Sequence, residues 1–212
     1  MKKFDGIIFD VDGTLSSTNA LIFASFNHIS KKYLNRTFTD SELIALFGPT
    51  EDVILKEWCG DNYETARDEY YKFYSENHNN MASEYPGMRD ILQHLKDKGV
   101  LLSIYTGKGK EAASITLKKI ECYDFFDMII TGDDVKNHKP SGEGILKFIN
   151  KYKLDPEKVL MIGDAPSDIK AARAAGVKIA SVVWDSYAKE EVLKHDTDYI
   201  FHSVAELEAF LK

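Results

Sequence analysis

The chain is poor in sulfur and has no long apolar run. Its two cysteines, Cys59 and Cys122, stand far apart among 212 residues and in no metal-type spacing. They read as reduced, partly buried thiols, so a disulfide scaffold is excluded. No stretch approaches the roughly 18 apolar residues that a membrane span needs. The opening MKKFDGIIFD is briefly apolar, but Asp5 and Asp10 break it, and it is too short for a secretory leader. A cytoplasmic protein with no membrane partner is the expectation. An excess of basic charge is missing too: 27 Lys and Arg face 34 Asp and Glu, a net charge of −7. A nucleic-acid partner usually leaves a basic stripe, and none is visible. A small anionic substrate stays open, because a few local lysines can dominate a pocket. Repeats and low-complexity tracts are absent, and nothing in the pattern fixes an oligomeric state.

What is present is a recurrence of short runs rich in Ile and Val: GIIF (6–9), VLLSIY (100–105), DMII (127–130), VLMI (159–162) and IASVV (179–183), with a weaker DYIF (198–201). Helical patterns lie between them. GMRDILQHLKDKG (87–99) spaces Ile91, Leu92 and Leu95 for one helix face and stops at Gly99, and SDIKAARAAG (167–176) also ends in glycine. Strands alternating with helices predict parallel βαβ units, an α/β protein with an open parallel sheet. One stretch breaks the alternation. Residues 19–34, 40–47, 50–58 and 64–77 read as four helices, the second capped by Asp40 or Ser41. The polar NHNN (77–80) marks the return to the sheet. The aromatic residues Tyr70, Tyr71, Phe73 and Tyr74 read mostly as core of this helical insert.

Ligands of open α/β sheets bind beyond the carboxyl ends of the strands. There the chain places Asp10, Asp12, Gly13 and Thr14 after the first run, and Thr106, Gly107 and Lys108 after the second. Lys139 and Pro140 follow the third, and Gly163, Asp164 and Asp168 the fourth. Two like charges 4 Å apart repel by about 4 kcal/mol at an effective dielectric near 20, so converging carboxylates call for a cation. Oxygen ligands favour a hard ion such as Mg²⁺. A nearby lysine adds a second positive charge against a phosphate dianion.

These residues resemble the motifs of the haloacid dehalogenase-like hydrolase superfamily, in order: DVDGT (10–14), SIYTGK (103–108), KP (139–140) and GDAPSD (163–168). A DG turn alone is common; four motifs after successive strands are specific. The resemblance covers nearly the whole chain. It implies a Rossmann-like core from residues 1–16 and 82–212, with a four-helix cap inserted at 17–81. That is the C1-cap subclass of phosphoglycolate phosphatases and β-phosphoglucomutases. It further implies Asp10 as nucleophile and Asp12 as general acid and base. Mg²⁺ would be held by Asp10, Asp164 and the Asp12 carbonyl, and phosphate by Thr106, Gly107 and Lys139. Asp168 acts through water or orients Lys139. The implied reaction is hydrolysis of a small phosphorylated metabolite through an aspartyl-phosphate.

Three positions depart from the common pattern: Ser17 in place of a hinge aspartate, Gly142 in place of a proline, and Ala165 in place of a hydroxyl residue. None removes a catalytic group. Asp12 argues against haloacid chemistry, and no lysine among Lys31, Lys32, Lys56 and Lys72 stands out for a Schiff base. A sugar-phosphate mutase and a non-catalytic phospho-ligand binder are the alternatives. Lys108 and Lys110 read as solvated lysines at a helix start, and His138 as a plain loop histidine. In the cap, Phe47, Gly48 and Thr50 of LFGPTED (46–52) are the candidate specificity residues. They do not choose among phosphoglycolate, pyrophosphate and a sugar phosphate.

Overall fold

The apolar runs are strands because both of their faces have something to cover. The computed structural model describes residues 2–212. The chain runs through β1 (Gly6–Phe9) and β2 (Ser16–Ser17) into four helices, α1 (Asn19–Tyr33), α2 (Asp40–Ile44), α3 (Glu51–Cys59) and α4 (Tyr63–Met81). It returns through β3 (Ser83–Glu84), after which helices and strands alternate. These are α5 (Met88–Asp97), β4 (Leu101–Tyr105), α6 (Lys110–Lys119), β5 (Met128–Ile130), α7 (Glu143–Tyr152) and β6 (Val159–Gly163). The remainder is α8 (Pro166–Ala175), β7 (Lys178–Val182), α9 (Lys189–Val192), β8 (Tyr199–Phe201) and α10 (Val204–Leu211).

Six strands form one parallel sheet in the order β5-β4-β1-β6-β7-β8. Side chains alternate across it, as the pleat requires. Ile7 and Phe9 face a core shared with α5 and α10, while Ile8 faces the opposite core with α7 and α8. The chain adds β4 and β5 on one side of β1 and then crosses back to place β6 on the other. That reversal opens a crevice at the carboxyl end of β1.

The insert has its own core. Leu21, Ile22, Phe26 and Ile29 of α1 meet Ile54 and Leu55 of α3 and Tyr70, Tyr71 and Tyr74 of α4. The spacing of three and four keeps these residues on one helix face, and each large aliphatic buried contributes about 1.5–3 kcal/mol. Ala112 of α6 joins the same cluster, and the Tyr74 hydroxyl lies 2.8 Å from the Thr116 hydroxyl. The insert is thereby seated on the sheet layer. Both cysteines are free and buried. Among the described residues, no helix is long and apolar enough to cross a membrane.

Local details differ from the pattern reading. NHNN does not end the fourth helix: α4 continues to Met81, because His78 is buried against Tyr74 at 6.0 Å. The second helix stops at Ile44, and its cap is Thr39, whose side chain accepts from the Glu42 N–H while Glu42 reaches back to the Thr39 N–H. β2 and β3 pair antiparallel, Ser16 with Glu84 and Ser17 with Ser83, at the root of the insert. Two residues are too short a run to show a strand period. Gly142 has a packing reason: a Cβ there would lie 2.9 Å from Ala175, where α7 starts against the end of α8.

Candidate active site

β1 fixes the first carboxylate. The Asp10 N–H donates to the Ile162 carbonyl at 2.9 Å, locking the strand end to β6. The chain then turns tightly, with Leu15 N–H and Ser16 N–H both donating to the Val11 carbonyl. Gly13 sits in the turn at φ +72°, and a Cβ there would lie 2.3 Å from Asp164 Oδ2. Glycine is required both for the left-handed backbone and for the approach of Asp164. The Asp12 carboxylate accepts from the Thr18 hydroxyl and lies 3.1 Å from Lys108 Nζ.

Lys139 comes from the loop before α7. Its Nζ lies 3.1 Å from Asp10 Oδ1 and donates to Asp168 Oδ1 at 2.6 Å. The other Asp168 oxygen accepts from the Ala165 N–H at 3.0 Å. This closes the loop at the position where a hydroxyl is missing. Asp10, Asp164 and Asp168 bring oxygens within 4.8 Å of one another. Both Asp168 oxygens have partners, whereas Asp164 Oδ2 is buried with none, and Asp10 Oδ1 has only the ion-pair approach of Lys139. Asp10 and Asp164 are therefore the members of this cluster free to hold a cation. Burial pushes the Asp10 carboxyl up to about 7, with Lys139 opposing and Asp168 and Asp12 adding to the rise. Asp164 is raised well above its usual range by burial, then by Asp168 and Asp10. Burial pulls Lys139 down, but Asp10 and Asp168 outweigh it and the net shift is upward. A buried oxygen without a donor, beside carboxylates whose charged forms burial and mutual repulsion disfavour until a cation answers them, fits a hard divalent cation.

A cavity of about 360 Å³ opens between insert and sheet, lined by Asp10, Asp12, Thr106, Gly107, Lys139 and Asp164. Thr106 is buried, and its hydroxyl accepts from the Lys108 N–H at 3.3 Å. Phe47 and Gly48 line the insert side, with the Phe47 ring 5.6 Å from Tyr187. Thr50 lies elsewhere. It is buried at the seam, where a Cβ on Gly132 would lie 2.4 Å from its Cγ2. His138 is half-buried and outside the cavity wall, and Lys110 is exposed.

Lys108 corrects the expectation of a solvated lysine. Its side chain is 3% exposed, and its Nζ lies 3.1 Å from Asp12 and 3.8 Å from Glu51. Burial pulls its ammonium down, and Asp12, Tyr74 and Glu51 together hold it above the usual range. Glu51 was not foreseen. It opens α3 and reads as an ordinary first-turn acid favoured by the helix dipole. In the fold it is buried and accepts from the Gly109 N–H at 2.6 Å. No local signal marks it, because its partners are far along the chain.

The parallel sheet, the helical insert and this carboxylate–lysine edge define a hydrolase of the haloacid dehalogenase-like class. The family profile of haloacid dehalogenase-like hydrolases matches residues 7–182, and the chain belongs to that family. It is 33% identical over 205 residues to "Pyrophosphatase PpaX" of Bacillus pumilus, covering 97% of this chain and 95% of that one. A solved haloacid dehalogenase-like family hydrolase from Streptococcus pneumoniae is 26% identical with a TM-score of 0.77, covering 100% of both chains. A predicted phosphoglycolate phosphatase from Haemophilus somnus, also covering 100% of both chains, has a TM-score of 0.84. At 23% identity that likeness concerns the fold alone. The protein is a phosphatase-type member of the family.

Proposed function

We propose that the protein is a Mg²⁺-dependent phosphatase that hydrolyses a small phosphate ester through an aspartyl-phosphate on Asp10. In this reading residues 17–81 act as a cap over a catalytic core of residues 1–16 and 82–212. The observation that carries it is one cavity lined by Asp10, Asp12, Thr106, Lys139 and Asp164, with an Asp164 oxygen buried and unpaired.

An Asp10 oxygen attacks phosphorus as the ester P–O bond breaks. Asp12 gives its proton to the departing oxygen. Water then attacks the same phosphorus, Asp12 takes one of its protons, and the P–O bond to Asp10 breaks. Splitting one displacement into two lowers each barrier. The approach of Lys139 to Asp10 supports a role in steadying charge on the nucleophile and phosphoryl group, and Asp168 supports Lys139 as its positioning residue. Thr106 and Gly107 would receive phosphate oxygens. Asp10, Asp164 and the Asp12 main-chain carbonyl would hold Mg²⁺, which when bound offsets phosphate charge. The test is phosphate release from a panel of phosphorylated metabolites with Mg²⁺, with Asp10→Asn as the control. Release by the wild type alone is expected, and equal release by both proteins would end the proposal.

A further inference from the structure

We infer that the leaving-group end of the cavity takes an uncharged, largely apolar group, and that Glu51 is the residue that excludes a second anion. The inference rests on the phosphatase reading and specifies its substrate class.

The cations lining the cavity are Lys108 and Lys139. Lys139 is held at the nucleophile by Asp10 and Asp168. Lys108 is the one that reaches toward the insert, and Asp12 and Glu51 already face it. A second source of positive potential is the start of α6, since a helix N-terminus offers N–H groups to anions. These donors are engaged too. Gly109 N–H donates to Glu51 Oε2 at 2.6 Å, and Lys110 N–H donates to Asp133 Oδ2 at 2.7 Å. Glu51 therefore answers both the lysine and the helix end from within the protein.

The remaining wall is mostly apolar, with Ile22, Phe26, Ile44, Phe47, Ile54 and Tyr187, and includes the neutral polar residues Asn19 and Ser167. Glu191 adds a further acid to the lining. A second phosphate or a carboxylate placed here would lose its water beside Glu51 and Glu191 and meet only the neutral donors of Asn19 and Ser167 and a lysine already shared by two acids. Burial of a charge so weakly answered is disfavoured. An apolar leaving group meets the opposite situation, because its burial against this wall is favourable. Pyrophosphate, to which the name of the Bacillus pumilus relative refers, is thus the discriminating probe.

The experiment compares phenyl phosphate with pyrophosphate, both with Mg²⁺ in excess of the phosphate compound. For the wild type we expect kcat/KM at least about tenfold higher for phenyl phosphate, the scale on which one mismatched pocket contact discriminates. Glu51→Gln keeps an acceptor for Gly109 and removes the charge. Its preference should move toward pyrophosphate by about tenfold, one lost charge contact. A wild type that cleaves pyrophosphate as well as phenyl phosphate overturns the inference, as does a Glu51→Gln variant with an unchanged ratio. A binding readout stands apart from turnover and from the folding of that variant. In Asp10→Asn protein, phenyl phosphate should raise the melting temperature more than inorganic phosphate does, and pyrophosphate should not. The reverse order also overturns the inference. If the wild type releases phosphate from neither probe nor any metabolite, the phosphatase reading itself fails. Preference for pyrophosphate with activity intact defeats this inference alone.

Discussion

Lys139→Met puts the charge balance of the site to a direct test. The Lys139 ammonium lies 3.1 Å from Asp10 and 2.6 Å from Asp168, with its side chain 7% exposed. Unit charges ~3 Å apart attract by about 5 kcal/mol at an effective dielectric near 20, and desolvation of the ammonium offsets part of that. Removing one partner of a buried pair costs about 3–5 kcal/mol, because the remaining charge is left unanswered. Methionine has a similar length and no charge, so the packing loss is small. We expect urea unfolding at pH 8, without divalent ions, to show a loss of about 3–5 kcal/mol. The loss should depend on pH. Burial already lifts Asp10 to about 7 from 3.8, with Lys139 opposing. Without Lys139 the folded-state value rises further. A carboxyl whose folded pKa exceeds its unfolded one destabilises increasingly as pH climbs from the lower value to the higher. The deficit should therefore be smaller at pH 5.5 than at pH 8. A loss below about 1 kcal/mol, the range of an exposed pair, or one that is constant across this range, would refute the reasoning.

Three further outcomes follow from the same geometry. Mg²⁺ at about 100 times its dissociation constant should stabilise the wild type by about 2.7 kcal/mol, seen as a higher melting temperature, and Asp164→Asn should abolish the rise. Gly13→Ala should lose at least about 1–2 kcal/mol, the cost of a left-handed backbone for alanine, and should lose the Mg²⁺ response, because its Cβ would displace Asp164. Chemical unfolding and a thermal scan read both effects. His78 is lowered to about 4 from 6.5, chiefly by burial, then by Lys108 and Lys119. The neutral histidine thus contributes stability that is present above pH 6.5 and is lost as pH falls toward 4. From pH 7.5 to 5 the wild type should lose about 2 kcal/mol more than His78→Phe does, by urea midpoints. Equal pH slopes would show that His78 takes up its proton freely.

The strands of the parallel sheet were readable in the sequence because each is a short apolar run, covered on both sheet faces at the centre, as for Ile7, Ile8 and Phe9. The polar two-residue β2 and β3 were not. That Asp10, Asp12, Thr106, Lys139 and Asp164 would meet at one cavity was legible because a strand end is a local event, and parallel topology carries such ends to one edge. Periodicity also found the buried face of α5, through Ile91, Leu92 and Leu95. The position of the fourth helix was readable too. Its end was misplaced, since NHNN is polar and His78 is held in place only by packing against Tyr74.

Lys108 and Glu51 were beyond any local pattern. A lysine at a helix start and a glutamate in a first turn look solvated until the insert folds over the sheet. Glu51 then meets Gly109, 58 residues away, and the Lys108 side chain is enclosed between two acids. Local patterning shows which face of an element is apolar and where a strand stops. Which face meets which, and hence which charges lose water together, depends on long-range closure. That closure fixed the seat of the insert, the place of Thr50 and the burial of Lys108 between Asp12 and Glu51.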